Sequence, residues 1–204
     1  AVFGIGGVGS FAVEALARSG VGNFVLVDDD LVCLTNINRQ IHATRKTIGK
    51  PKVEVMKERI LEINPKANVI GIREFYSAET AEKILFNDLD YIVDAIDSLP
   101  SKIDLIVRCK NMKLPIISAM GAGNKLDPTK FQVADISETF TCPMARRIRK
   151  ELRKNGIESG VKVVFSTEPP SRKQKPPGSI SFVPSVMGLI IAGEIINDII
   201  KKID

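Results

Sequence analysis

The stretch Ala1-Val2-Phe3-Gly4-Ile5-Gly6-Gly7-Val8-Gly9 decides how the rest of the chain is read. A short apolar run stops at a glycine cluster, and a helical pattern starts at once. Gly4, Gly6 and Gly9 have the spacing of the turn between the first strand and first helix of a Rossmann unit. Such a turn needs φ freedom, and it brings backbone close to phosphate where a Cβ would obstruct. The helix that follows aims its N-terminal N–H groups at the anion. Asp28-Asp29-Asp30 follows about 20 residues later, where an acid at a strand end can hold ribose hydroxyls. The turn predicts a nucleotide without saying which one.

Outward from the turn, strand and helix patterns alternate. Strands are expected at 1–4, 24–27, 69–72, 91–95 and 116–119, and helices at 10–19, 51–63, 78–85 and 99–112. This rhythm predicts a Rossmann-like α/β fold with a mostly parallel sheet and helices on both faces. After Gly121-Ala122-Gly123 the rhythm changes. Strands at 131–136 and 161–165 flank a basic helix at 143–154, an antiparallel extension is expected there, and 169–178 reads as a Pro- and Lys-rich mobile loop. A final helix at 184–203 carries apolar residues on more than one face, so it is either deeply packed or buries a face in a partner. The expected organisation is one nucleotide-binding domain over 1–204. Residues 1–123 form its nucleotide-binding half, and 124–204 form its substrate-side and dimer-packing half.

A chain of 204 residues is long enough for a substantial core, and 44% hydrophobic with 26% charged residues places it among globular domains rather than disordered chains. No apolar run reaches the roughly 18 residues of a membrane span; the longest candidate, 183–200, is interrupted by Glu194, Asn197 and Asp198. Three cysteines and no secretory signal argue for a reducing, cytoplasmic setting. The chain opens directly on its first strand without an initiator Met, so a preceding segment is expected to be missing. Charge is uneven. Residues 142–175 hold ten Lys or Arg against three acids, a local +7 within a net +5, so the remainder is slightly acidic. Localised positive charge suits a polyanion-binding patch.

The acidic run is followed by Thr35-Asn36-Ile37-Asn38-Arg39-Gln40, then by Gly49-Lys50-Pro51-Lys52, then by Asp94-Ala95-Ile96-Asp97 at a strand end. Taken singly, Asp28 could cap a helix, Lys52 could be a solvated first-turn lysine, and Asp97 could initiate the next helix. In this order they are better explained together. Adenylation joins a carboxylate to the α-phosphate of ATP, so two anions must meet, and fixed cations with a metal are needed.

The collinear set over about residues 1–123 resembles the ubiquitin-activating-like (ThiF/MoeB/HesA) adenylyltransferases, which include activators of sulfur carrier proteins. That resemblance implies ATP and Mg²⁺ as cofactors. It implies that Gly4, Gly6, Gly7 and Gly9 cradle the nucleotide and that Asp28 takes the ribose. Asn36 would help position the nucleotide, Arg39 and Lys52 would contact the phosphates, and Asp97 would support Mg²⁺. Asp30 and Asp94 are supporting acids on the same reading. It further implies a homodimer, in which an Arg before the first strand reaches the partner subunit's ATP, and sulfur-transfer proteins as a partner class.

Three cysteines without a Cys-x-x-Cys pair exclude the structural Cys₄ zinc site of many sulfur-carrier activators. The second half carries Cys142-Pro143-Met144-Ala145-Arg146-Arg147-Ile148-Arg149-Lys150, then Phe165-Ser166-Thr167-Glu168. It resembles the tRNA threonylcarbamoyladenosine dehydratase branch of the same superfamily. On that resemblance the partner is tRNA, bound by Arg146, Arg147, Arg149, Lys150, Arg153 and Lys154; a solvated helix face is the plain alternative. The implied reaction adenylates a threonine carboxylate on the modified nucleoside and closes a ring with release of AMP. The alternatives are activation of the C-terminal glycine of a ubiquitin-like carrier, or a non-catalytic nucleotide- or RNA-binding scaffold. Cys142, before a Pro at a helix start, is expected to cap or pack rather than to form a thioester. Cys33 and Cys109 read as buried, and His42 as a loop or core residue.

Overall fold

A computed structural model describes residues 1–85, 88–170 and 178–201. Its strands are β1 (Val2–Phe3), β2 (Asn23–Val27), β3 (Asn68–Ile72), β4 (Ile92–Asp94), β5 (Ile116–Ala119), β6 (Phe131–Asp135) and β7 (Lys162–Ser166). They form one sheet in the order β3-β2-β1-β4-β5-β7-β6. Every pairing is parallel except β6 with β7, the expected antiparallel extension. The helices are α1 (Gly9–Arg18), α2 (Lys52–Ile63), α3 (Ala81–Ile84), α4 (Leu99–Asn111), α5 (Pro143–Lys154) and α6 (Phe182–Ile200).

The inner strands β1, β2, β4, β5 and β7 are buried on both faces, which is why they are short, largely apolar runs, whereas the edge strands β3 and β6 are partly exposed. Successive residues alternate between two cores. Val2, Leu26, Val93, Ile117 and Val164 face α1, α2 and α6. Phe3, Val25, Val27, Ile92, Ile116 and Phe165 face the side covered by α4 and α5. Chain order reverses between β1 and β4, both of which pair with parallel neighbours, so a crevice opens beyond their carboxyl ends.

Helix α6 is long and apolar enough by composition to cross a membrane, with a mean hydropathy of 1.6. Its apolarity has a local cause: Val183, Met187, Ile191 and Ile195 lie in the core. Gly188 lets α6 approach α1, since a Cβ there would stand 2.3 Å from the Val8 carbonyl oxygen. Its other face leaves Phe182, Leu189 and Ile200 exposed, so the helix is both packed and partly unpartnered. The expected loop at 169–178 lies mostly outside the described residues.

Candidate active site

At the end of β1, Gly4 adopts φ 86°, and a Cβ there would lie 2.6 Å from the Ala95 carbonyl oxygen. Gly9 opens α1 so close to this turn that a Cβ would sit 1.9 Å from the Gly4 carbonyl oxygen. These two glycines fold the turn onto itself and onto the end of β4. Gly6 and Gly7 have a different task. A Cβ on Gly6 would meet only Gln40, at 4.0 Å, and one on Gly7 would stand 3.2 Å from Pro184 and 3.3 Å from the Arg39 stem. Gly4, Gly6 and Gly7 line a cavity of about 660 Å³, whereas Gly9 lies behind them.

Asp28 follows the end of β2 and is tied to the glycine turn. The Ile5 N–H donates to its Oδ2 at 2.6 Å and the Asp30 N–H to its Oδ1 at 2.9 Å. Burial pushes its carboxyl above the usual range, against the opposing pull of Lys52 and these two bonds. Lys52 is not a solvated first-turn lysine. It is 5% exposed, and its ammonium lies 2.6 Å from Asp30 Oδ2 and 3.7 Å from Asp28 Oδ1. Asn36 is buried, and its Oδ1 accepts from the Cys33 N–H, closing the loop that carries Arg39. The Arg39 guanidinium donates to the Thr35 carbonyl and to Asn38 Oδ1, both at 2.9 Å. Asp28, Asp30, Asn36, Arg39, Lys52 and Asp97 all line the one cavity.

Asp94 belongs elsewhere. Its carboxylate is fully buried, with Lys102 Nζ at 2.8 Å and Ser118 Oγ at 2.5 Å. It is a floor beneath the site and not a nucleotide-side acid. Asp97, three residues on, is exposed into the cavity, and helix α4 is capped by Ser98 instead. Among the described residues no cation lies within 4.0 Å of the Asp97 carboxylate, in contrast to Asp30. A free hard-oxygen donor facing a phosphate-binding wall suits Mg²⁺, which takes one or two carboxylates plus phosphate oxygens.

The far wall comes from the loop after β5 and the start of α5. Gly121, Ala122, Gly123, Asn124 and Lys125 line it, together with Cys142, Pro143 and Met144. Lys125, 3% exposed, is a residue the sequence did not single out; a lysine after a glycine-rich segment carries no pattern of its own. Cys142 stands at the N-cap position of α5 without a side-chain cap bond and is buried, so of the two expected roles it packs rather than caps, while Cys33 is exposed. Exposure of Cys33 follows from its place among solvent-facing loop residues, Leu31 and Leu34 also being exposed. His42 is a core residue, 2% exposed, with neither ring nitrogen hydrogen-bonded.

From that wall α5 runs outward. Arg146, Arg147, Arg149, Lys150 and Arg153 line a second, shallow concavity of about 310 Å³. Arg149 is fixed there by donating to the Thr139 carbonyl and hydroxyl oxygens. Lys154 stands apart, paired with Glu151 at 2.7 Å.

A largely parallel sheet with a glycine turn, with Arg39, Lys52 and the exposed Asp97 converging on one cavity at its switch point, defines a nucleotide-binding α/β enzyme domain. The chain belongs to the ThiF family, whose sequence profile matches residues 1–203. It is 50% identical to the tRNA threonylcarbamoyladenosine dehydratase of Bacillus subtilis, in a match spanning 100% of this chain and 87% of that protein. Its fold matches the Escherichia coli tRNA N6-threonylcarbamoyladenosine dehydratase in complex with AMP (TM-score 0.93) and with ATP (TM-score 0.91). In both, identity is 39% over 98% of this chain and 85% of the other.

Proposed function

We propose that the chain is an ATP-dependent tRNA threonylcarbamoyladenosine dehydratase acting in the cytoplasm. The observation that carries this reading is continuity: α5 forms part of the cavity wall with its first turn and presents an arginine-rich concavity beyond it. A nucleoside in the cavity would thus leave its flanking phosphates beside fixed positive charge. The 50% identity to the Bacillus subtilis dehydratase supports the same reading.

The chain's residues account for the steps. The glycine turn receives the phosphates and Asp28 the ribose. Lys52 and Arg39 hold the phosphate oxygens, so that charge building on the leaving pyrophosphate is met by preorganised cations. Asp97 would hold Mg²⁺, which supplies further neutralisation of the phosphates when bound. The threonine carboxylate attacks the α-phosphorus, pyrophosphate leaves, and an acyl-adenylate forms. An atom of the same substrate then attacks the acyl carbon and gives up a proton, and AMP departs with one former carboxylate oxygen. No enzyme nucleophile is required, which agrees with Cys142 being a buried side chain at the start of α5.

The protein acts as a homodimer on this reading. Leu34, Ile37 and Ile48 around the Arg39 loop, with Phe182 and Leu189 on α6, are the exposed apolar side chains a second copy would cover.

ATP–pyrophosphate exchange tests the assignment. Exchange should be stimulated by threonylcarbamoylated tRNA and fall by about 10²- to 10³-fold in Lys52→Ala. Stimulation by a ubiquitin-like carrier protein and not by tRNA would replace the tRNA substrate. Tight ATP binding without exchange would make the chain a nucleotide-binding scaffold.

A further inference from the structure

Three lysines are buried among the described residues: Lys52, Lys102 and Lys125. A buried ammonium is costly unless an anion accompanies it. Lys52 has Asp30 at 2.6 Å and Lys102 has Asp94 at 2.8 Å. Lys125 has no carboxylate within 4.0 Å among the described residues. Its ammonium donates to the backbone carbonyl of Glu168. The Glu168 carboxylate is turned away to other work, accepting from the Leu126 N–H at 3.0 Å and the Asp127 N–H at 3.0 Å. This arrangement anchors Lys125 and leaves its ammonium without a carboxylate in ion-pair contact among the described residues.

Lys125 lines the same cavity as Arg39, Lys52 and Asp97, on the wall built by the loop after β5. Apart from Asn124 and Cys142, that wall is otherwise glycine, small or apolar: Gly121, Ala122, Gly123, Pro143 and Met144. The cavity therefore has cations for phosphates at one end and a single anion-seeking cation at the other. We propose that the Lys125 ammonium binds the carboxylate of the acyl substrate and holds it against the α-phosphate of ATP. This inference rests on the adenylation chemistry proposed above.

The step balances without a proton. One carboxylate oxygen forms the new bond to the α-phosphorus, the bond to the bridging oxygen breaks, and pyrophosphate leaves with that electron pair. The second carboxylate oxygen stays on Lys125 and becomes the carbonyl oxygen of the acyl-adenylate. When the ring closes, negative charge develops on that same oxygen, so one contact serves both half-reactions. Burial also lowers the affinity of Lys125 for its proton, against Glu168 and Cys142 nearby, and an incoming carboxylate reverses that penalty.

Lys125→Gln is the discriminating variant, because an amide still offers a donor to the Glu168 carbonyl but carries no charge; Lys125→Met removes both. Steady-state kinetics with threonylcarbamoylated tRNA and ATP, beside equilibrium ATP binding, reads the outcome. The expected result is a KM for the tRNA raised by about 10- to 100-fold in both variants, with ATP affinity within about twofold of the parent. An unchanged tRNA KM in Lys125→Gln, or an equal loss of ATP affinity, overturns the inference. If the parent protein itself leaves modified tRNA unreacted, the tRNA assignment fails instead. The same comparison is then read in exchange driven by the C-terminal carboxylate of a ubiquitin-like carrier. There, loss of carrier-driven exchange in Lys125→Gln supports the role of Lys125, and retention refutes it.

Discussion

Lys102 and Asp94 form a 2.8 Å ion pair in which neither side chain has any exposed surface. The pair joins two strand ends. Lys102 also donates to the Ala119 carbonyl at 2.9 Å, and Asp94 accepts from the Ile96 N–H at 3.2 Å. It thereby fixes the segment leading to Asp97 and the start of the loop leading to Lys125. Removing one partner leaves the other charge buried, which costs about 3–5 kcal/mol. Lys102→Met should therefore lower unfolding free energy by that amount in urea denaturation. A loss under about 1 kcal/mol would mean that the charge is relieved by other means.

The glycines of the opening turn separate into two classes under substitution. Gly9→Ala should abolish the native fold, since its Cβ would collide with the Gly4 carbonyl oxygen at 1.9 Å. Gly6→Ala should fold, as the nearest atom is 4.0 Å away, yet weaken ATP binding by about tenfold through contact with phosphate. Circular dichroism with equilibrium ATP binding checks both; equal stability of the two variants would contradict this division.

That division marks what the sequence could and could not convey. Spacing reveals all four glycines but not which face phosphate, because Gly9 acts through a backbone atom five residues away. Apolar strand runs and the intervening helical patterns predict the sheet and its antiparallel extension, since burial on both faces dictates composition directly. Asp94 and Asp97 look alike as strand-end acids; only the fold puts Lys102 under one and open cavity beside the other. Lys52 sits in a recognisable motif, whereas Lys125 becomes informative only because no carboxylate pairs with it among the described residues. Cys33 misled because, although Val32 beside it is buried, the apolar Leu31 and Leu34 are themselves exposed.

The basic helix should bind RNA through phosphates. Arg146, Arg147 and Arg153 are exposed and line the α5 concavity, while Lys154 is engaged by Glu151. Replacing the three arginines with Ala should weaken tRNA binding and flatten the log–log salt dependence by about 2 to 3. ATP affinity should be unaffected. Filter binding across a salt series reads the slope; an unchanged slope would assign tRNA contact to another surface, and Lys154→Ala should change little.

His42 predicts an acid-sensitive fold. Burial lowers its pKa to about 4, with the charges of Lys52 and Arg59 acting in the same direction. The unfolded imidazole takes up its proton near pH 6.5 and the folded one does not. Stability is therefore retained above pH 6.5 and lost as pH falls towards 4, by up to about 3 kcal/mol. His42→Leu should remove that part of the slope in thermal melts between pH 7 and 5. An identical pH dependence in the variant would show that His42 does not carry it.

On the proposed function, the chain uses ATP to take a water out of a modified tRNA nucleoside. Full-length protein with ATP, Mg²⁺ and threonylcarbamoylated tRNA, followed by mass spectrometry of the digested nucleosides, tests it directly. The account predicts a nucleoside lighter by one water, formed together with AMP. An unchanged nucleoside mass in the presence of protein that binds ATP would contradict it.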